Sequence, residues 1–296
     1  MKRLLLIIVL LSPCLIHAQS FLDLGLRGGL SGMMYDCEYG GNTPGYHVAF
    51  DMGYLYKSPY WFTLRVGASI ETATSYYRQK GYEDHYTTTD RDGDEMLIQY
   101  SLGMLREQHQ TYSVSFPIQI GFSIQQFTFL VGPRFTLPLN GLWKESISAG
   151  SLSVYFPKYD NLVEDAYPLA ASRSFEMDNS GKMTLPQWQC AITGELTYDI
   201  AIGSAFREAK SFLCVGAYFD VDLIPAETSP IKEHYGVVYL TDVPVTRILT
   251  SVMQAWYNDR PLISKFSNYD VGIKVAYRFT FSQRHKKRRG CNCYAN

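Results

Sequence analysis

Beyond Ile16 the chain has no long hydrophobic run, and no stretch approaches the ~20 apolar residues of a membrane-spanning helix. A mature protein embedded in a bilayer would therefore have to be a closed β-barrel, which also satisfies its backbone polar groups without water. An excess of charge is missing too. Lys and Arg total 27 against 28 Asp and Glu, a net charge of −1, so no whole-molecule field draws nucleic acid. Cysteine is scarce, and Cys14 falls in the leader. The odd set left, Cys37, Cys190, Cys214, Cys291 and Cys293, argues against a complete disulfide framework. Catalytic and cofactor signatures are lacking. His47 shares a strand face with Asp51, but no Gly-x-Ser-x-Gly accompanies it, and His85, His109 and His234 have no metal-ligand spacing. The run Asp90–Glu95 places its glycine fourth, not sixth as a calcium loop requires, and reads as an acidic hairpin tip. No cofactor or metal is expected, and the chain does not read as an enzyme.

Aromatic residues are abundant instead. They make up 15%, with 23 Tyr and 16 Phe, a composition that suits membrane–water interfaces and also strands in general. Lys2 and Arg3, the apolar run Leu4–Ile16 and Ala18 have the layout of a signal peptide, with Gln19 starting the mature chain. Pro13 before Cys14 argues against lipidation. The expected organisation is a signal peptide over 1–18, a barrel over 19–281 and a basic periplasmic tail over 282–296.

Alternation carries the fold. From Asn268 to Phe281 every second residue is apolar (Tyr269, Val271, Ile273, Val275, Tyr277, Phe279, Phe281), with polar or small residues between. An ordinary strand runs to about 5 or 6 residues, whereas a tilted membrane strand needs about 9 to 11. The pattern recurs around Tyr46–Tyr56, Tyr112–Ile124, Phe127–Leu137 and Trp188–Ile200, and more weakly in Phe21–Leu30, Trp61–Tyr77 and Phe212–Leu223. The links between these segments alternate long and short. Tyr35–Gly45, Arg78–Gln110, Asn140–Pro186 and Ile224–Ser267 are the longer ones; Ser58–Tyr60, Gln125–Gln126 and Ala201–Lys210 are the shorter. Short turns inside and long loops outside are the habit of outer-membrane barrels. The expectation is an all-β, antiparallel transmembrane barrel of about eight strands with long extracellular loops, in the bacterial outer membrane. A soluble sandwich or lipocalin-like barrel is the alternative. Leu240–Trp256 has a helical apolar spacing within the last long loop.

Several segments resemble the OmpA-type, PorT-like outer-membrane barrels of Bacteroidetes. They are the Gly-rich Ser20–Gly32, Tyr112–Gly121 with its mid-strand proline, Phe129–Pro133, and Val271–Phe279. The resemblance implies a non-enzymatic envelope role, with secretion-associated function as in PorT-like members. It also implies that Gly272, Val275, Tyr277 and Phe279 form the last-strand signal read by the barrel-assembly machinery. The chain departs from the pattern by continuing past Phe281.

If the apolar sets face lipid, the alternate sets face inward. Arg27, Asp51, Arg65, Glu71, Arg134, Glu195, Asp199, Asp220, Asp270, Lys274 and Arg278 then form an internal ion network, with Asp23 and Asp222 on the same faces. Buried charges must be paired, and eight strands enclose just enough room for side chains. That predicts a plugged barrel; a narrow channel or a membrane-embedded enzyme acting on lipid or lipopolysaccharide are the competing readings. The expected contacts are outer-membrane lipid, lipopolysaccharide, the assembly machinery, and an envelope protein met by the outer loops or the tail Arg284–Arg289, with no nucleic acid.

Overall fold

A computed structural model describes residues 19–37, 39–58, 61–90, 92–164, 175–203, 211–230, 236–242, 245–257 and 260–280. Residues 1–18, expected as a signal peptide, lie outside these residues, as do Phe281 and the basic stretch with Cys291 and Cys293, and Tyr167, His234 and Tyr235.

The first five strands are long and consecutive: β1 (Gln19–Asp36), β2 (Gly41–Lys57), β3 (Phe62–Thr89), β4 (Glu95–Ile124) and β5 (Phe127–Phe156). Two short strands follow, β6 (Asn161–Glu164) and β7 (Phe175–Lys182), then β8 (Gln189–Ala201) and β9 (Ser211–Asp222). The small strands β10 (Ala226–Glu227), β11 (Val238–Asp242), β12 (Val245–Leu249), β13 (Trp256–Tyr257) and β14 (Arg260–Pro261) precede the last, β15 (Lys265–Thr280). Eight of these form an antiparallel ring in the order β1-β2-β3-β4-β5-β8-β9-β15, closed by β15 against β1. Closure removes the sheet edge that lipid cannot satisfy. Among the described residues no helix is long and apolar enough to cross a membrane.

At the seam Gly29 lies opposite Gly272. A Cβ on either would strike the backbone of the other strand, at the Val271 or the Gly28 carbonyl. Glycine is required there because the two backbones approach too closely for any side chain.

The alternation sorts side chains between lipid and lumen. Phe50, Ile70, Ile118, Ile120, Phe135, Leu196, Val271 and Ile273 point outward and are exposed, Ile273 by 65%. Their inward neighbours are buried and polar, among them Arg65, Ser69, Ser115, Gln119, Thr193 and Lys274. An apolar belt around a polar interior is the reverse of a soluble barrel and fits a hydrocarbon solvent. Ile124 pairs with Phe127 across the two-residue turn at Gln125–Gln126, on the end of the barrel that holds both described termini.

Three strands run far past the belt. β3, β4 and β5 contain 28, 30 and 30 residues, about three times what a tilted span needs. Arg78–Gln110, expected as a loop, is mostly strand: β3 and β4 stay paired from Arg78 opposite Arg106 to Thr89 opposite Glu95. Most of Asn140–Phe156 is the outer half of β5, paired with β4 and β7. Leu240–Trp256 is not helical either, since β11 and β12 pair as a hairpin there. Leu249, Val252, Met253 and Ala255 of this segment pack against the outer sheet, and that demand sets the backbone ahead of helical spacing.

In this outer sheet, which we call the canopy, the burial pattern shifts by one residue. On β4 the buried positions are odd-numbered from Gln119 to Leu105, then even-numbered at Leu102, Tyr100, Ile98 and Met96. On β5 they change from Trp143, Glu145 and Ile147 to Gly150, Leu152 and Val154. On β3 they change from Tyr77 and Gln79 to Tyr82 and Asp84. The shifts are aligned. Lys80 faces Met104 and Tyr82 faces Leu102, so Gly81 meets Gly103; Met104 faces Ser148 and Leu102 faces Gly150, so Ala149 lies beside Gly103. Gly81 and Ala149 have positive φ, 63° and 59°. A single crease therefore crosses three strands.

Above the belt the inward face is also apolar. Tyr82, Ile98, Tyr100, Leu102, Trp143 and Val154 pack with Val237, Val238, Leu249, Val252 and Met253 from the last long connection, which covers the canopy as a cap. The reason is the change of solvent: once water replaces lipid outside, apolar groups gain by turning inward.

Candidate functional site

Two regions gather chemically capable side chains: the lumen and the junction of canopy and cap.

The lumen is filled by ion pairs in successive layers. Nearest the short turns, Arg278 binds Asp23 at 2.7 Å and Asp199 at 2.6 Å, and Lys57 reaches Asp199 at 2.9 Å. Above them Arg65 bonds Asp51 and lies 3.3 Å from Glu195, while Lys274 bridges Asp51 and Glu195, each at 2.8 Å. Higher still, Arg134 bonds Glu71 and Asp220, and Arg27 lies 3.1 Å from Asp220 and 3.6 Å from Glu71. These groups are almost wholly buried. Uncompensated, each would cost several kcal/mol; linked through shared carboxylates, they neutralise one another.

Asp270 differs from the expected arrangement. It lies opposite Asp220 across β9 and β15, and among the described residues it makes no ion pair. The cations nearest that height, Arg27 and Arg134, are already committed to Asp220 and Glu71. Lys57 and His47, which alternation places on the same face as Asp51, join the network although they were not among its expected members. Lys57 ends β2 but curls inward to Asp199, and His47 binds Tyr218 through Nδ1 at 2.6 Å and approaches Glu71 at 3.5 Å. Against the uppermost layer of the network stands a polar cavity of about 40 Å³, bordered by Glu71, Thr74, Arg134, Asp220, Asp222 and Asp270. That is room for a few waters, not for a continuous path.

Gly272, Val275, Tyr277 and Phe279 lie on β15 between the seam with β1 and the pairing with β9. Val275, Tyr277 and Phe279 face lipid, and Tyr277 packs edge-on against Phe279 with centroids 4.4 Å apart.

The second region lies above the belt. Glu107 and Glu145 are direct cross-strand partners and both are fully buried. Glu107 is well supplied with donors: its Oε1 binds Ser251 Oγ at 2.5 Å and His109 Nε2 at 2.6 Å, and its Oε2 accepts from the Val252 N–H at 2.8 Å. Tyr35 Oη lies 2.7 Å from His109 Nδ1. If Tyr35 donates to Nδ1 and Nε2–H donates to Glu107, a neutral imidazole satisfies the whole chain of bonds. Among the described residues neither oxygen of Glu145 has a hydrogen-bond partner. Further out, beyond the crease, Asp84 accepts from the hydroxyls of Tyr82 and Tyr100 at 3.0 and 2.9 Å, and burial pushes its carboxyl above the ordinary range. Sequence periodicity did not mark these acids, because they sit where the inward face changes from polar to apolar. The signal available was Glu107-x-His109 in alternation, within a segment read as a loop.

A closed antiparallel ring with an apolar belt, an ion-paired lumen and short turns on one side is a membrane-spanning β-barrel; the protein belongs to the bacterial outer membrane. Structures similar to it include Ail, the attachment invasion locus protein of Yersinia pestis, alone (11% identity, TM-score 0.25) and with the heparin analogue sucrose octasulfate (10%, 0.25). Each match covers 89% of this chain and 100% of Ail. OpdL of Pseudomonas aeruginosa is more loosely similar, at 10% identity and a TM-score of 0.10 over 90% of this chain and all of that one. No family model and no curated sequence matches the chain.

Proposed function

We propose that this barrel acts without catalysis, as a structural or interaction protein of the cell envelope whose working surface is the capped canopy. The observation that carries the reading is the lumen: among the described residues ion pairs cross it in layers from Arg278 to Arg134, which supports a plugged barrel over a channel. Function then falls to what projects outside, and a rigid scaffold presenting a shaped surface suits recognition. The expected contacts are lipid and lipopolysaccharide at the belt and an envelope protein at the canopy or the basic tail. The assembly machinery would read Gly272, Val275, Tyr277 and Phe279. A secretion-associated role within the PorT-like group is the finer form of the proposal, supported by the segments of sequence that resemble it. The cleaved leader over 1–18 and the periplasmic tail over 282–296 belong to the same proposal.

Crosslinking from an amino-acid photoprobe at Tyr159, in the short turn after β5, or at Leu162 on β6, both exposed, tests the working surface. A discrete envelope protein captured from both positions supports the reading; capture of lipid alone would refute it.

A further inference from the structure

We propose that the cap is latched to the canopy by a proton held on Glu145. The cap reaches Glu107 through Ser251 Oγ and the Val252 N–H, at 2.5 and 2.8 Å, and these bonds together with that of His109 call for an ionised Glu107. Glu145 lies directly opposite on β5, equally buried and, among the described residues, without a donor for either oxygen. Two adjacent carboxylates in such a place cannot both be charged, and the one without donors takes the proton. On its other side Glu145 faces Asn179 of β7, whose side-chain amide donates to the Leu249 carbonyl of the cap at 2.8 Å. The cap is thus tied to the strands on both sides of Glu145.

The other titratable groups facing this pair are His109 on β4, Tyr35 on β1, Tyr77 on β3 and Cys37 beyond β1; no Lys or Arg among the described residues makes an ion pair with it. Burial first, and the charge of Glu107 second, push the Glu145 carboxyl well above the ordinary glutamate range. The sign follows from that direction. An open cap wets Glu145 and returns it to its ordinary range, so opening releases a proton to water. Closure is favoured at low pH and weakens as pH rises from the ordinary glutamate value toward the raised one, tenfold in the opening equilibrium per pH unit for one proton.

Hydrogen exchange of the full-length protein in detergent micelles, corrected for the intrinsic rate, reads this directly. Protection of residues 249–257 is expected to fall about tenfold per pH unit over part of the range from pH 5 to 9, with the belt strands unchanged. Glu145→Gln should keep the cap protected at every pH, and Asp84→Asn should leave the slope in place. Ser251→Ala should lower protection equally at every pH. A flat wild-type profile would overturn the latch, and the wild type alone decides this if the glutamine variant fails to fold. A slope that survives in Glu145→Gln would also overturn it, by showing that another group holds the proton.

Discussion

Among single residues, Arg65 shows what the interior demands. It serves Asp51 and Glu195, donates to Gln119 Oε1 at 2.9 Å, and is wholly buried. Arg65→Met removes the cation and strands its carboxylates, and should cost about 3–5 kcal/mol, measured by urea unfolding in micelles. An effect under about 1 kcal/mol would mean that water already reaches this layer. Ala149 sits in the left-handed region, which costs an L-residue roughly 1–2 kcal/mol. Ala149→Gly should therefore stabilise by up to about 1 kcal/mol once the added chain entropy is subtracted. Gly81→Ala should destabilise by a similar amount, and the two variants should move apart in the same unfolding assay.

For whole strands, the outward face names its solvent. Ile273→Arg puts a charge at the belt and should cost about 2–4 kcal/mol if Ile273 lies near the bilayer midplane. Gln99→Arg, on the outer face of the same kind of strand in the canopy, should change stability by less than about 0.5 kcal/mol. Equal effects would place both in one solvent. This contrast also explains how much was legible in the sequence. The belt halves of β4, β5 and β15 were readable because lipid enforces strict alternation over many residues. The canopy half of β4 alternates as well, through Met96, Ile98, Tyr100 and Leu102, but in the opposite phase, and it is separated from the belt half by Glu107 and His109. Ion pairs such as Arg65–Asp51 could be placed on one face from spacing. Which carboxylate each cation would choose depended on the register across strands, and Asp270 was left over for that reason.

The whole molecule is a filled barrel carrying a roofed extension. A filled lumen should give no resolvable conductance steps in a planar bilayer, and steady unitary steps would show that the ion pairs part. A closed hydrogen-bonded ring should resist detergent at room temperature, so the folded protein is expected to migrate differently on a gel before and after boiling. Identical migration would count against closure in solution. The outer rim of the belt, which lies below the crease because Arg78, Lys80 and Arg106 already face outward there, has a consequence for inheritance. Below it and above it the same strand answers to two different selection filters, since a polar-to-apolar exchange on the outer face is welcome in the lipid half and hazardous in the watery half. Drift along β3, β4 and β5 should therefore proceed under opposite rules on either side of the belt's outer rim. The canopy can then change its outward chemistry without touching the part that holds the protein in the membrane.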